Sequence, residues 1–221
     1  VIDFRRAVAS SSNVYFAKAI WDRYGITGKK QEYSDFLHEK LHLGKTVGLE
    51  RLGERAPSIT ADWKVPDPGV MLVKMSYGYR VRLAPIQMIT FYNAIANGGK
   101  AAEPYLIEKT VSALGIPSLP HLTRHTGQLI DGKTAATVTE YMANNVMETY
   151  GTKRFPNMEL CAKSGTAEVG EGQTPHAWFA GFLQNEDAPY AFVVLVENGG
   201  GGSAVAGTVA GKVLDTIVNG Y

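Results

Sequence analysis

The sequence is poor in three features that would assign it to a class at once: long apolar runs, charge of one sign, and cysteine. Its longest uncharged apolar run, residues 188–196, has nine residues, whereas a transmembrane helix needs about 18. Lys and Arg together number 22 and Asp and Glu 21, so no global field favours nucleic acid or an anionic membrane as a partner. The single cysteine, Cys161, cannot form an internal disulfide and does not resemble a metal site.

What is present is the composition of an ordinary globular chain. Its 221 residues are 45% hydrophobic and 19% charged, which suits one good-sized domain or two small subdomains that share a core. No secretory signal opens the chain, which starts at Val1 rather than at Met. We therefore expect it to continue a longer sequence.

Apolar spacing predicts four helices in the first two-thirds of the chain. Between Val47 and Arg82, Gly and Pro interrupt any period, so this stretch is predicted to be mostly loop. The predicted helices run from Ser12-Asn13 to Gly25 with Phe16, Ile20 and Tyr24 on one face; through Leu37 and Leu41 to Gly44; from Pro85 to Asn97 with Met88, Phe91, Tyr92 and Ile95 buried; and from Thr134 to Tyr150 with Val138, Met142 and Val146 on one face.

The last third changes to strand-like segments at residues 158–169, 176–183 and 190–197. The turns between them are short enough for consecutive antiparallel pairing. After Gly199–Gly202 a closing helix is predicted, with Val205, Val209, Val213 and Ile217 as its buried stripe. This order indicates an α+β fold, with a mainly helical part at residues 1–155 and a sheet part at residues 156–221.

Two short motifs indicate chemistry that their surroundings do not support. His38, Glu39 and His42 match H-E-x-x-H, in which two His share a zinc ion and Glu is the general base. The predicted helix ends at Gly44, however, and no third ligand follows at a recognised spacing. Residues 127–134 match G-x-x-x-x-G-K-T, but the polar residues before them do not predict the buried strand of a phosphate-binding loop. We expect no metal and no cofactor at either motif, only an exposed helix face and a turn that caps the helix at Thr134.

Two further motifs carry the residue types of acyl transfer. Ser11-Ser12-Asn13 offers a hydroxyl and an amide at a helix entrance, although helix capping alone also explains these residues. Lys163-Ser164-Gly165-Thr166 lies within a predicted strand, where it exposes a cation, two hydroxyls and, at Gly165, a backbone that a ligand can approach closely. A bulged strand end would explain the second motif equally well.

Together, these two motifs resemble two of the three signatures of the serine acyl-transferases that bind penicillin, which are Ser-x-x-Lys, Ser-x-Asn and Lys-Thr/Ser-Gly. The second and third signatures are present in the right order. Similar flanks extend the resemblance to class B penicillin-binding proteins over almost the whole chain: residues 7–16 (AVASSSNVYF), 76–79 (SYGY), 84–88 (APIQM), 94–99 (AIANGG), 162–168 (AKSGTAE) and 177–182 (AWFAGF).

The resemblance implies a penicillin-binding/β-lactamase-like transpeptidase fold that is incomplete at its N-terminus. It also implies a D,D-transpeptidase that cross-links peptidoglycan stem peptides ending in D-Ala-D-Ala, is acylated by β-lactams and uses no cofactor. The family works on the outer face of the cytoplasmic membrane, tethered by an N-terminal helix that is not in this chain. The same location is implied here.

The family's motifs also imply a role for each site residue. Lys163 would supply positive charge to the proton network, Ser11 would relay a proton toward the leaving group, and Asn13 would hydrogen-bond the acyl portion of the ligand. The hydroxyls of Ser164 and Thr166, on either side of Gly165, would bind the terminal carboxylate. The backbone N–H of Thr166 would be one half of the oxyanion hole.

One departure from the family concerns the nucleophile. The family's serine belongs to a Ser-x-x-Lys upstream of Ser-x-Asn, and no serine in this sequence has a lysine three places on. Without it no acyl-enzyme forms. Because the family's sheet also takes strands from the upstream part, we expect an open strand edge near residues 190–196. An upstream segment of the same protein or an oligomer partner would cover it.

The resemblance leaves the use of the fold open. The alternative to an enzyme fragment is a non-catalytic β-lactam sensor or a cell-wall scaffolding module with the same motifs. A β-lactamase or carboxypeptidase would differ only in whether water reaches the acyl-enzyme.

Overall fold

The computed structural model describes residues 2–49, 53 and 56–220. Three of the described helices continue without a break into a π-helical turn, at Trp21–Gly25, Phe36–Lys40 and Val146–Tyr150. The elements in chain order are α1 (Phe4–Ala9), α2 (Asn13–Ile20), α3 (Lys30–Asp35), β1 (Ser58–Ile59), α4 (Pro68–Met75), β2 (Val81–Arg82), α5 (Pro85–Ala96), α6 (Gly132–Asn145), a 3₁₀ turn (Thr152–Arg154), β3 (Leu160–Ala167), β4 (His176–Leu183), β5 (Ala191–Val196) and α7 (Ala206–Asn219).

Strands β3, β4 and β5 form the antiparallel meander that the sequence predicted, with β4 in the centre. The register pairs Lys163 with Ala180 and Gly181 with Phe192. Helices α5 and α6 contact the sheet, and α7 contacts β4 and β5. The predicted α+β class is therefore confirmed.

Each face of the sheet has its own apolar core, because successive side chains of a strand point to opposite faces. Cys161 and Phe182 pack with Ile95 of α5 and Met142 of α6. On the other face, Leu160, Phe179 and Leu183 pack with Ala206, Ala210 and Leu214 of α7. A third core joins α3, α4 and β1 through Tyr33, Leu37, Ile59, Met71, Leu72 and Met75.

The predicted helix boundaries rest on capping signals that the structure confirms. The Ser12 side chain accepts a hydrogen bond from the Tyr15 N–H at 3.3 Å and caps α2. Pro85 opens α5, where a missing N–H costs nothing. Gly151, with a φ of +80°, ends the π-helical turn after α6 in a conformation that favours glycine.

The predicted stripe of the closing helix is wrong at three of its four positions, and only Val205 packs against the core. Val209, Val213 and Ile217 are 43%, 53% and 43% exposed, while the buried residues of α7 are Ala206, Gly207, Ala210 and Leu214. Two apolar series of the same period run along this helix, and the bulkier valines suggested the wrong one. The small residues let α7 lie close to the sheet, and a side chain at Gly207 would come within 3.3 Å of Phe179.

The stretch between Val47 and Arg82 is less irregular than predicted. Residues 50–52, 54 and 55 lie outside the described residues, but α4 occupies Pro68–Met75. Its signals were present in the sequence, since Asp67 caps the helix and Pro68 takes the first position. The short helix α1 was also missed. The helix predicted to end at Gly44 ends earlier, with the π-helical turn at Phe36–Lys40.

Among the described residues, no helix is both long and apolar enough to span a bilayer.

Candidate active site

The junction between α1 and α2 presents Ser11. Helix α1 ends at Ala9 and Ser12 already caps α2, so the chain must turn within two residues. Ser11 makes this turn with a φ of +50°, in the left-handed region that non-glycine residues rarely occupy. The Lys163 ammonium donates a hydrogen bond to the Ser11 Oγ.

Contacts between α1 and the end of α6 fix where this junction lies. The Thr149 hydroxyl donates to the Ala9 carbonyl at 2.9 Å, and Arg5 donates to the Asn144 side chain. Arg5 and Arg6 both approach the Glu148 carboxylate at 3.4 Å. These ion pairs are half-exposed, so they add little to the stability of the fold. Their main effect is to orient α1 on the end of α6.

Lys163 lies in a site that disfavours its charge. Burial lowers the pKa of Lys163 below its ordinary value, and the nearby Tyr150 opposes this shift. Its ammonium also donates to the Ser164 carbonyl at 3.1 Å. A partly desolvated lysine that contacts a serine hydroxyl is suited to passing protons, because its charged and neutral forms lie closer in free energy.

The outer edge of β3 is closed along half of its length. The Gln184 N–H donates to the Glu159 carbonyl, so by strand alternation Ala162, Ser164 and Thr166 turn their backbone groups away from β4. The Asn145 amide donates to the Ala162 carbonyl at 2.7 Å, and the Ser164 N–H donates to the Tyr150 hydroxyl at 2.7 Å.

The same edge opens at Thr166. No described residue accepts a hydrogen bond from its N–H, and its side chain is exposed. Gly165 is also exposed, and a Cβ at this position would contact only Trp178 among the described residues, at 3.5 Å. An extended ligand can therefore pair with β3 at Thr166, but not at Ala162 or Ser164, whose outward backbone groups are already hydrogen-bonded.

Hydroxyl groups and the cation flank this open edge from opposite sides of the sheet. Lys163 alternates with Ser164 and Thr166, so its side chain leaves on the α6 face, where it meets Ser11. Ser164 and Thr166 leave on the other face, where the Gly202 N–H donates to Thr166 Oγ1 at 3.3 Å. Asn13 is exposed in the first turn of α2, two residues beyond Ser11.

A second contact joins the helical part to the end of β3. The Tyr79 hydroxyl donates to the Glu168 carboxylate, and this hydrogen bond raises the pKa of Tyr79. Tyr79 belongs to the segment 76–79 and Glu168 directly follows β3, so two of the motif flanks noted in the sequence are in contact.

Neither of the two other motifs forms a site. His38 belongs to a π-helical turn and His42 follows it with a φ of +56°, so they do not occupy successive turns of one α-helix. No group of three His, Cys, Asp or Glu side chains in the described part of the chain is arranged to hold a metal ion. In the other motif, Asp131 accepts from the Thr134 N–H at 2.9 Å, so a carboxylate already occupies the helix entrance.

Three residues of the site were not found from the sequence. Asn145 and Tyr150 lie near the end of α6, where the sequence indicates only helix and helix end. Gly202 was predicted only as part of the segment before the closing helix, and it is closely packed: a Cβ there would lie 2.1 Å from the Gly165 carbonyl oxygen. Only the fold brings these residues to β3, so no local signal identifies them.

A serine hydroxyl, a lysine and an open strand edge lie together here, as the two motifs that resemble penicillin-binding proteins predicted. Comparison with known proteins agrees: residues 1–218 match the penicillin-binding protein transpeptidase domain. The chain therefore belongs to this family.

Two named relatives support the assignment of the chain to this family. The chain is 33% identical over 198 residues to peptidoglycan D,D-transpeptidase PbpA of Mycolicibacterium smegmatis, an alignment that covers 78% of this chain and 39% of the relative. It is 28% identical over 244 residues to peptidoglycan D,D-transpeptidase MrdA of Haemophilus influenzae, with 98% of this chain and 36% of the relative covered. The chain thus spans well under half the length of these relatives.

Solved structures show the same fold. The ceftriaxone acyl-enzyme complex of penicillin-binding protein A from M. tuberculosis superposes with a TM-score of 0.77 at 25% identity, covering 97% of this chain and 48% of that one. The D,D-transpeptidase domain of a peptidoglycan glycosyltransferase from Eggerthella lenta superposes with a TM-score of 0.78 at 22% identity, with 99% and 53% covered. The predicted transpeptidase fold is confirmed.

Proposed function

We propose that this chain supplies the substrate-binding part of a D,D-transpeptidase that cross-links peptidoglycan stem peptides. The observation that carries the proposal is the hydrogen bond from Lys163 to Ser11, which unites the two sequence motifs at an open strand edge. Two curated relatives bear the name peptidoglycan D,D-transpeptidase. The ligand would be a stem peptide ending in D-Ala-D-Ala, or a β-lactam in its place.

In this proposal the ligand lies along the outer edge of β3. The Thr166 N–H would stabilise the oxyanion as the tetrahedral intermediate forms, and loss of one such donor typically costs about 10²–10³ in rate. Ser164 and Thr166 would bind the terminal carboxylate, while Asn13 would hold the acyl portion. Ser11, in contact with Lys163, would pass the proton to the departing amine.

The attacking serine would come from a Ser-x-x-Lys segment, because no serine of these 221 residues has a lysine three places on. Its hydroxyl oxygen would attack the peptide carbonyl, release D-Ala and form the acyl-enzyme. The acceptor amine of a second stem peptide would then resolve this ester.

The experiment is covalent labelling with a fluorescent penicillin. We expect no adduct with the 221-residue chain, and a stable adduct when the family's Ser-x-x-Lys segment is joined to it. The matched control is the joined protein with Lys163→Ala, which should label at least about tenfold more slowly. Labelling of any serine within the 221 residues, or no labelling of the joined protein, would contradict the proposal.

The free edge of β5 would be covered in the working protein. The Leu183 N–H donates to the Tyr190 carbonyl, so alternation turns the backbone groups of Ala191, Val193 and Leu195 outward. No described strand pairs with them. The occupant in this proposal is the upstream segment of the same protein, or a second copy when that segment is absent.

The protein would act at the outer face of the cytoplasmic membrane, where the family's substrate lies.

A further inference from the structure

Tyr150 lies beside β3, the strand that carries Lys163. Its hydroxyl makes two hydrogen bonds to Ser164. Its ring packs against the rings of Phe155 and Phe179, with centroids 6.5 and 5.2 Å away. The ring is thereby fixed and its hydroxyl is placed at the edge of β3. There the phenol oxygen accepts the Ser164 N–H at 2.7 Å and donates its own proton to Ser164 Oγ at 2.9 Å.

This pair of bonds fixes the direction of the Ser164 hydroxyl. A hydroxyl has one proton to donate and two lone pairs to accept with. The Tyr150 hydroxyl accepts from the Ser164 backbone N–H and donates its single proton to Ser164 Oγ. Ser164 therefore accepts from Tyr150, and its own proton remains for another partner.

Gly202 makes the corresponding contact to Thr166. Its N–H donates to Thr166 Oγ1 at 3.3 Å, which leaves the threonine proton for another partner. This approach requires glycine, since a Cβ at position 202 would lie 2.1 Å from the Gly165 carbonyl oxygen and 2.7 Å from that of Trp178. The hydroxyls of Ser164 and Thr166 thus each accept one hydrogen bond from the protein and keep their own proton for a ligand.

We infer that Tyr150 and Gly202 are positioning residues that direct the hydroxyl protons of Ser164 and Thr166 toward the ligand and so select a free carboxylate over a carboxamide. A carboxylate has two oxygens that only accept hydrogen bonds, so each can take one of the two protons, whereas a carboxamide has one accepting oxygen and its NH₂ would face a donor. The inference rests on the proposed function, which places the peptide terminus at this edge.

The test compares the wild-type chain with Tyr150→Phe, which keeps the packed ring and removes only the hydroxyl. Hydrogen exchange at the Ser164 amide, measured by NMR, should become about tenfold faster when its acceptor is lost. Binding is measured for N-acetyl-D-Ala-D-Ala and for its C-terminal carboxamide. The wild-type chain should prefer the carboxylate, and Tyr150→Phe should reduce this preference by about tenfold.

Tyr105→Phe is the control, because it also removes a tyrosine hydroxyl but from an exposed ring stacked on His121. It should leave both measurements unchanged. General damage to the site would lower both affinities together, whereas the inference requires their ratio to change. An unchanged ratio or an unchanged Ser164 exchange rate in Tyr150→Phe would overturn the inference alone. A wild-type chain that binds neither peptide would overturn the proposed function and this inference with it.

Discussion

Lys163 lies in the candidate site, and the burial of its charge lowers the stability of the folded chain. Burial lowers the pKa of Lys163, so the folded chain holds the lysine proton less tightly than the unfolded chain does. The penalty is complete at any pH below the folded-state pKa. It is relieved as pH rises toward about 10.4, the ordinary lysine value. Stability that depends on Lys163 should consequently increase with pH over this window.

The variant Lys163→Met removes the charge and keeps most of the side-chain volume. We expect it to melt at a higher temperature than the wild-type chain at pH 7, with the difference narrowing as pH approaches about 10. Lys100→Met, at an exposed lysine, should show no such trend. Thermal unfolding from pH 7 to 10 measures the difference, and a pH-independent gap would show that the charge on Lys163 carries no burial penalty.

The sequence indicates some residues of this site more clearly than others. Ser11, Lys163, Ser164 and Thr166 were predicted because their two motifs each have a fixed spacing, and the structure brings Ser11 to Lys163. Tyr150 and Asn145 were not, because a tyrosine or an asparagine near a helix end carries no pattern. Their function depends on a strand that follows more than ten residues later.

Strand β5 has an outer edge that no strand in the described part of the chain covers. Its inner backbone groups pair with β4, whereas those of Ala191, Val193 and Leu195 face outward. On the adjoining α7, the apolar side chains of Val209 and Val213 are exposed. An apolar edge of this kind invites pairing with another chain.

The 221-residue chain should therefore associate with itself in solution. Small-angle scattering should show a particle mass above that of the 23.9 kDa monomer and rising with concentration. Val193→Pro removes an outward N–H without breaking a bond to β4, so it should shift the chain toward monomer. A concentration-independent monomer in the wild-type chain would contradict the open edge.

Elements with a strong period and clear caps were predictable, and those that depend on packing were not. The three strands, α5 and α6 follow from alternation, Pro85 and Gly151. The inward face of α7 does not follow, because Ala210 and Gly207 are weak apolar signals beside Val209 and Val213. Ala210 and Gly207 are buried because α7 lies close to Phe179.

In the whole molecule, the site exists because two segments 152 positions apart converge. Helix α1 is held on the end of α6 by Thr149 and Glu148, and α6 is held on β3 by Asn145. This chain of contacts sets Ser11 opposite Lys163. The sequence indicated Ser11 and Lys163 through their motifs. The residues whose contacts bring them together belong to no motif.

Chemical-shift mapping by NMR tests this convergence most directly. N-acetyl-D-Ala-D-Ala is titrated into the 221-residue chain, with the L,L peptide as the control. The account predicts that amides of residues 10–13 and 163–166 shift together, along one binding curve, and that the L,L peptide causes much smaller changes. If only one of these segments responds, or if both peptides give the same shifts, the two motifs do not form one ligand site.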